Sequence, residues 1–209
     1  MDIVQIIALT MGVAWASGIN LYAAVFVLGY LGATGNIVLP PDLQILSEPV
    51  VLVAAAFMYC VEFFADKTPG VDTAWDAVHS FIRIPAGAVL AAGAVGPVDP
   101  AVQLAAALVG GTLAAGSHFV KAGSRVVINA SPEPVSNWAA SLGEDLAVVA
   151  GLWMALHYPW LFLLLLAVFV AAAVWLLPRL WHAIRAAVVR IARWRRRGGS
   201  GARLPDGRA

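Results

Sequence analysis

Hydrophobic and polar positions alternate along this chain on the scale of whole helices. Residues 3–33 form one long apolar run, interrupted at SGINLY by Ser17, Gly18 and Asn20. A glycine beside polar residues weakens a helix locally, so the run predicts two half-helices or a re-entrant hairpin rather than one smooth span. GNIVLPPDLQILSEP, with prolines at 40 and 41, predicts a loop and a helix start around Ser47 to Pro49. That helix runs to about Lys67, carries Glu62 and Asp66 one turn apart on a shared face, and is stopped by Thr68, Pro69 and Gly70.

From Asp72 to Arg83 the ionisable groups fall at Asp72, Asp76, His79 and Arg83, the period of a single helix stripe. This is an amphipathic helix, lying at the interface or turning a charged face into the protein. The apolar stretch after it is short for a crossing unless it joins that helix or is re-entrant. A second long run, 100–130, echoes the first: Gly116 stands where the first has Gly18, and His118, Lys121, Arg125 and Asn129 make one basic face. SPEPVSN predicts a loop. The next helix begins near Trp138, carries Glu144 and Asp145, and ends near Tyr158 and Pro159. Adjacent residues point about 100° apart, so only one of that acid pair faces any given cavity. WLFLLLLAVFVAAAVWLL is the clearest single span.

These patterns predict an all-α, polytopic membrane helix bundle with interrupted helices. A membrane-embedded domain over 1–178 divides into two degenerate repeats, 3–96 and 100–178, matched at Gly18 with Gly116, at the two serine-proline loops, and at Pro69 with Pro159. If each repeat crosses an odd number of times, the two are inverted, with a site at their interface. Residues 179–197 read as a basic amphipathic helix on the cytoplasmic leaflet, and 198–209 as a disordered tail.

Composition supports the membrane assignment. The chain is 61% hydrophobic and 12% charged, an apolar excess that a soluble domain of this size does not carry. Asp2 and the lack of Lys or Arg ahead of the first apolar run argue against a cleavable signal. Cys60 is the only cysteine, which excludes an intrachain disulfide. Up to Pro178 there are four basic residues against eleven acids, and beyond it nine arginines against one acid. That asymmetry places the C-terminus in the cytoplasm, in a cell (inner) membrane protein. Its partners are the bilayer and anionic lipids at the basic helix, not nucleic acid; self-association stays open.

Charges inside a bilayer cost at least about 2.5–3.5 kcal/mol each on insertion scales, so they face a bundle interior, a wet cavity or an opposite charge. The candidate ion- or substrate-binding set is therefore Glu62, Asp66, Lys67, Asp72, Asp76, His79, His118, Lys121, Arg125, Glu144 and Asp145, with helix breaks at Gly18, Asn20 and Gly116. Plainer roles compete: the acids beside TPG cap helices in an aqueous loop, Lys121 and Arg125 act as topology determinants, and His118 packs. No phosphate loop, zinc spacing or nucleophile elbow appears, so no catalytic residue, cofactor or metal is expected.

At EFFADKTPGVD (Glu62 to Asp72), SNWAASLGED (Ser136 to Asp145) and HFVKAGSR (His118 to Arg125), the sequence resembles a family of bacterial and plant integral membrane proteins catalogued as domain of unknown function 4126. The likeness covers most of residues 10 to 175; the family's first motif often has an arginine where this chain has Asn20. It implies a multi-spanning fold with these polar segments as its signature, and no activity. The residues themselves support first a small transporter or permeation protein for an ion or small solute, using intramembrane carboxylates. The alternative is a non-catalytic structural or lipid-handling protein with static ion pairs; a membrane-embedded enzyme comes third.

Overall fold

The computed structural model describes residues 2–129 and 135–199, and these contain six long α-helices and no strand. They are α1 (Ile3–Ala33), α2 (Pro49–Ala65), α3 (Val71–Ala94), α4 (Pro100–Ile128), α5 (Val135–His157) and α6 (Pro159–Gly199); a 3-10 helix, Pro41–Ser47, precedes α2 at an angle of 67°. Five helices among the described residues are long and apolar enough to cross a membrane: α1, α3, α4, α5 and the first part of α6, Pro159–His182. The protein is an integral, multi-pass membrane protein.

Helix boundaries follow local chemistry. Asp2 caps α1 through a reciprocal capping box with Gln5. Pro49 and Pro100 open α2 and α4 at first-turn positions, where a missing N–H costs nothing. Gly70, at φ +85°, makes the turn between α2 and α3 in a conformation that side chains rarely tolerate.

The turn at Gly70, the end of α4 and the start of α5 share one end of the bundle, the network end. The far end holds the α3–α4 turn at Gly96 and the α5–α6 junction at Tyr158. Helix α1 is the most buried, and its contacts trace an unusual path. On its first half, Asn20 meets Asp145, Trp15 packs on Gly151, and Gly12 packs on Ala155 and Phe162, so this half climbs α5 to the far end. On its second half, Tyr22 meets His79, Gly29 abuts Leu52, and Gly32 abuts Leu39 and Ser47, so this half too leads to the far end. Helix α1 is thus a hairpin with its apex at Asn20, the one residue inside it with non-helical dihedrals (φ −144°, ψ 96°). Asn20 also caps the second half, its Oδ1 accepting from the Ala23 N–H at 2.9 Å.

Several sequence expectations change here. The break in the first run falls at Asn20; Gly18 is a close-approach residue, seated on the Ala114 carbonyl and Ser117 of α4, where a methyl group would collide. Helix α4 runs unbroken through Gly116, beside which a side chain would meet open space. The segment after Arg83 is no separate short helix but the continuation of α3 through Pro85. Helix α5 starts at Val135, three residues before Trp138. Helix α6 continues through Pro178 to Gly199, so the basic segment 179–197 is not a separate helix. The order α1–α3 and α4–α6 does divide into two sets of three, but the kink of α1 has no counterpart in α4, and the internal repeat is not established. The loop read at SPEPVSN, in its residues 131–134, and most of the tail, from 200 onward, lie outside the described residues.

Candidate functional site: a buried charge network at the hairpin apex

The stripes of α3 and α4 and the last turn of α2 turn inward and meet at one level of the bundle. Glu62, Asp76, Arg83 and Arg125 have no exposed surface, and Asp66 and Lys121 almost none. Arg83 links two acids, Glu62 at 2.6 Å and Asp76 at 3.0 Å. Lys121 stands between all four carboxylates: Asp66 at 2.7 Å, Glu62 at 3.3 Å, Glu144 at 3.6 Å and Asp76 at 3.8 Å. Arg125 holds Glu144 at 2.6 Å, donates to the Asp66 carbonyl at 3.0 Å, and donates to both the side chain and the carbonyl of Asn137.

The hairpin apex closes this network from above. Lys121 Nζ donates to the Ile19 carbonyl at 3.1 Å, a group at the C-terminal end of the first half-helix, where the partial charge is negative. On the other side of the apex, Asn20 Nδ2 donates to Asp145 at 2.9 Å, and Tyr59 donates to the same carboxylate at 3.3 Å. Cation and anion each meet a matching feature of the broken helix.

Among the described residues, four carboxylates (Glu62, Asp66, Asp76, Glu144) face three cations (Arg83, Lys121, Arg125), a deficit of one positive charge. Lys121 spends its three donors on Ile19, Glu62 and Asp66. Glu62 Oε2, Asp66 Oδ1 and Asp76 Oδ2 are buried and accept no hydrogen bond from the described residues. Unpaired buried acceptors are costly. No group of three or more His, Cys, Asp and Glu is placed to hold a metal ion among the described residues.

Other members of the predicted set stand around this core. Asp72 is buried at the start of α3, accepting from Asn129 at 2.8 Å and from the Gly70 and Thr73 amides. His79 stacks on Trp75 and bonds Tyr22 at 3.1 Å, apart from the ion pairs. His118 links Arg83, 3.3 Å from its Nδ1, to Ser80, 2.7 Å from its Nε2. With Arg83 donating to Nδ1, Nε2 carries the proton and donates to Ser80, whose hydroxyl donates to the Asp76 carbonyl. Lys67 donates to Ser141 at 3.1 Å and lies over the Phe63 ring. Burial lowers the pKa of Lys67, with Asp145 and Asp66 opposing the shift. Glu144 and Asp145 diverge to different partners, as their angular separation requires.

A lateral cleft of about 380 Å³ between α1, α4, α5 and α6 reaches the network. Trp15 and Phe169 form its walls and Lys121 and Glu144 its floor. The Glu144 side chain keeps 19% of its surface exposed, more than any other carboxylate of the core. Sequence reasoning missed Tyr22, Tyr59, Ser80, Asn137 and Ser141. Ser80 stands four residues beyond Asp76, and Asn137 and Ser141 lead to Glu144 by steps of four and three, so helical spacing was the signal available for these; Tyr22 and Tyr59 carried none beyond their nearness to Asn20 and Glu62.

Comparison with known proteins places this membrane bundle in a class without an assigned chemistry. The chain matches the model of the family described as Domain of unknown function (DUF4126) over residues 7–179, and it belongs to that family. No curated protein and no solved structure matches it.

Proposed function

We propose that this chain is a small transporter or permeation protein, in which the buried carboxylates take up and release a proton as an ion or small solute crosses the bilayer. The observation that carries this reading is the charge count at the hairpin apex: among the described residues, four acids, three cations and three carboxylate oxygens without a donor. Uncompensated charge is costly in hydrocarbon, so a dry pocket one positive charge short is suited to gaining and losing one. The cleft between α1, α4, α5 and α6 leads to Glu144, the least buried acid of the network. The broken helix supplies the dipole ends that transporters use around such sites. The nine arginines beyond Pro178 support a cytoplasmic C-terminus, with the protein in the inner membrane.

Purified protein in liposomes containing a pH-sensitive dye, under an imposed membrane potential, tests this. Proton flux above that of empty liposomes is expected, falling at least tenfold in Glu62→Gln/Glu144→Gln. Wild-type flux no greater than that of empty liposomes, or flux that survives the double substitution, overturns the reading and leaves a bundle of static ion pairs.

A further inference from the structure

A second depression lies on the other face of α4, between α3, α4 and α6, toward the network end. It has a volume of about 550 Å³ and is lined almost wholly by apolar side chains, among them Ala77, Phe119, Gly123, Leu180 and Trp181. The surface around it is made of exposed apolar residues: Val78 is 62% exposed, Phe81 84% and Trp181 66%. In a multi-spanning bundle such a surface faces hydrocarbon. Two hydroxyl residues, Thr73 and Ser80, also line the groove, and Ser80 is bonded to His118 and through it to Arg83.

We propose that this groove holds one acyl chain of an anionic phospholipid from the leaflet at the network end. The chemistry of the occupant follows from the groove's surroundings. An extended peptide laid here would carry backbone N–H and C=O groups into hydrocarbon with nothing to pair them, at a cost of several kcal/mol for each group. An acyl chain has no such groups and fills an apolar furrow at no polar cost. The headgroup is assigned by charge. Arg185 is exposed and stands one helical turn beyond Trp181, on the same side of α6, at the end of the groove where the helix leaves the bundle. It belongs to the stretch beyond Pro178 that carries nine arginines against one acid. A basic residue at a membrane surface contributes about 1 kcal/mol toward an anionic headgroup, about a fivefold preference. This site does not depend on the transport reading: it uses a different face of α4 and none of the paired charges.

The test uses the full chain, equilibrated with phosphatidylglycerol and phosphatidylcholine of identical acyl chains in equal amounts, then examined by native mass spectrometry. The wild type is expected to retain one phospholipid, with phosphatidylglycerol favoured about fivefold. Ala77→Trp, which fills the groove from an exposed position, is expected to lose the bound lipid while keeping the wild-type melting temperature. Arg185→Gln is expected to retain a lipid with the preference reduced to near unity. A photoreactive residue at position 77 crosslinking to phosphatidylglycerol in the otherwise unaltered protein checks the site if Ala77→Trp does not fold. Undiminished lipid retention in a folded Ala77→Trp, no lipid or no preference in the wild type, a dimer that Ala77→Trp dissolves, or no crosslink at position 77 overturns the proposal.

Discussion

The ammonium group of Lys121 sits 3.1 Å from the carbonyl oxygen of Ile19, which joins the most heavily contacted cation of the network to the one place where α1 departs from helical geometry. Breaking α1 at Asn20 frees acceptors at a buried level, and an uncompensated carbonyl there would be costly. Lys121 supplies the missing donor, and the same nitrogen gathers acids from α2, α3 and α5.

The hairpin path of α1 has a direct topological consequence. In a Cys60→Ala background, cysteines placed singly at Ile3 and Asn36 are expected to react with an impermeant thiol reagent from the same side of the membrane. A cysteine at Thr68 is expected to react from the opposite side. Labelling of positions 3 and 36 from opposite sides would make α1 a true crossing.

Asn20 makes two contributions, a cap on the second half of α1 and a hydrogen bond to Asp145. Asn20→Leu removes both, at about 1 kcal/mol for the cap and about 1.5–3 kcal/mol for the bond to a charged group. Asn20→Ser keeps a cap and is expected to unfold between the wild type and Asn20→Leu in a thermal or denaturant series. Equal stability of all three proteins would contradict the capping role.

Arg83 holds Glu62 and Asp76 with no exposed surface on any of the three side chains. Arg83→Met leaves two buried acids short of a partner and is expected to cost about 3–5 kcal/mol. Arg83→Met/Glu62→Met returns the network to the wild-type excess of one acid and is expected to recover part of that loss. The recovery, read as the coupling term of a double-mutant cycle, distinguishes a charge effect from a packing effect.

Gly18 and Gly116 look alike in sequence but face different surroundings. Gly18→Ala would press a methyl group into the Ala114 carbonyl, and overpacking of this kind costs about 1–3 kcal/mol. Gly116→Ala meets open space in an unbroken helix and is expected to raise stability by about 0.5–1 kcal/mol. Melting temperatures moving in opposite directions would bear this out.

These two glycines also mark the limit of what a single chain can disclose. Periodicity at Asp72, Asp76, His79 and Arg83, and at His118, Lys121 and Arg125, was enough to put each group on one helical face, and the cost of charge in hydrocarbon turned those faces inward. Which acid meets which cation was not legible, because it depends on how helices distant in sequence are ordered and tilted. Glu62 and Lys121 are 59 positions apart, and nothing local connects them. The break at Asn20 was legible from its polar neighbours, but Gly116 offered the same signal without the same outcome, since only Gly18 lies against another backbone. Pro178 was read as a boundary; a proline inside a membrane helix is tolerated where surrounding groups re-satisfy the freed carbonyl, and α6 passes through it.

The distribution of the ion pairs along the chain also bears on biosynthesis. Asp76 emerges from the ribosome 45 residues ahead of Lys121, and at roughly 5–20 residues per second that is an interval of roughly 2–9 seconds. During it, α2 and α3 hold three acids of the cluster against Arg83 alone, a combination poorly suited to release into lipid. Insertion machinery must retain these early segments until α4 and α5 arrive, so a ribosome stalled between α3 and α4 would leave a nascent chain unable to leave the translocon and exposed to quality control.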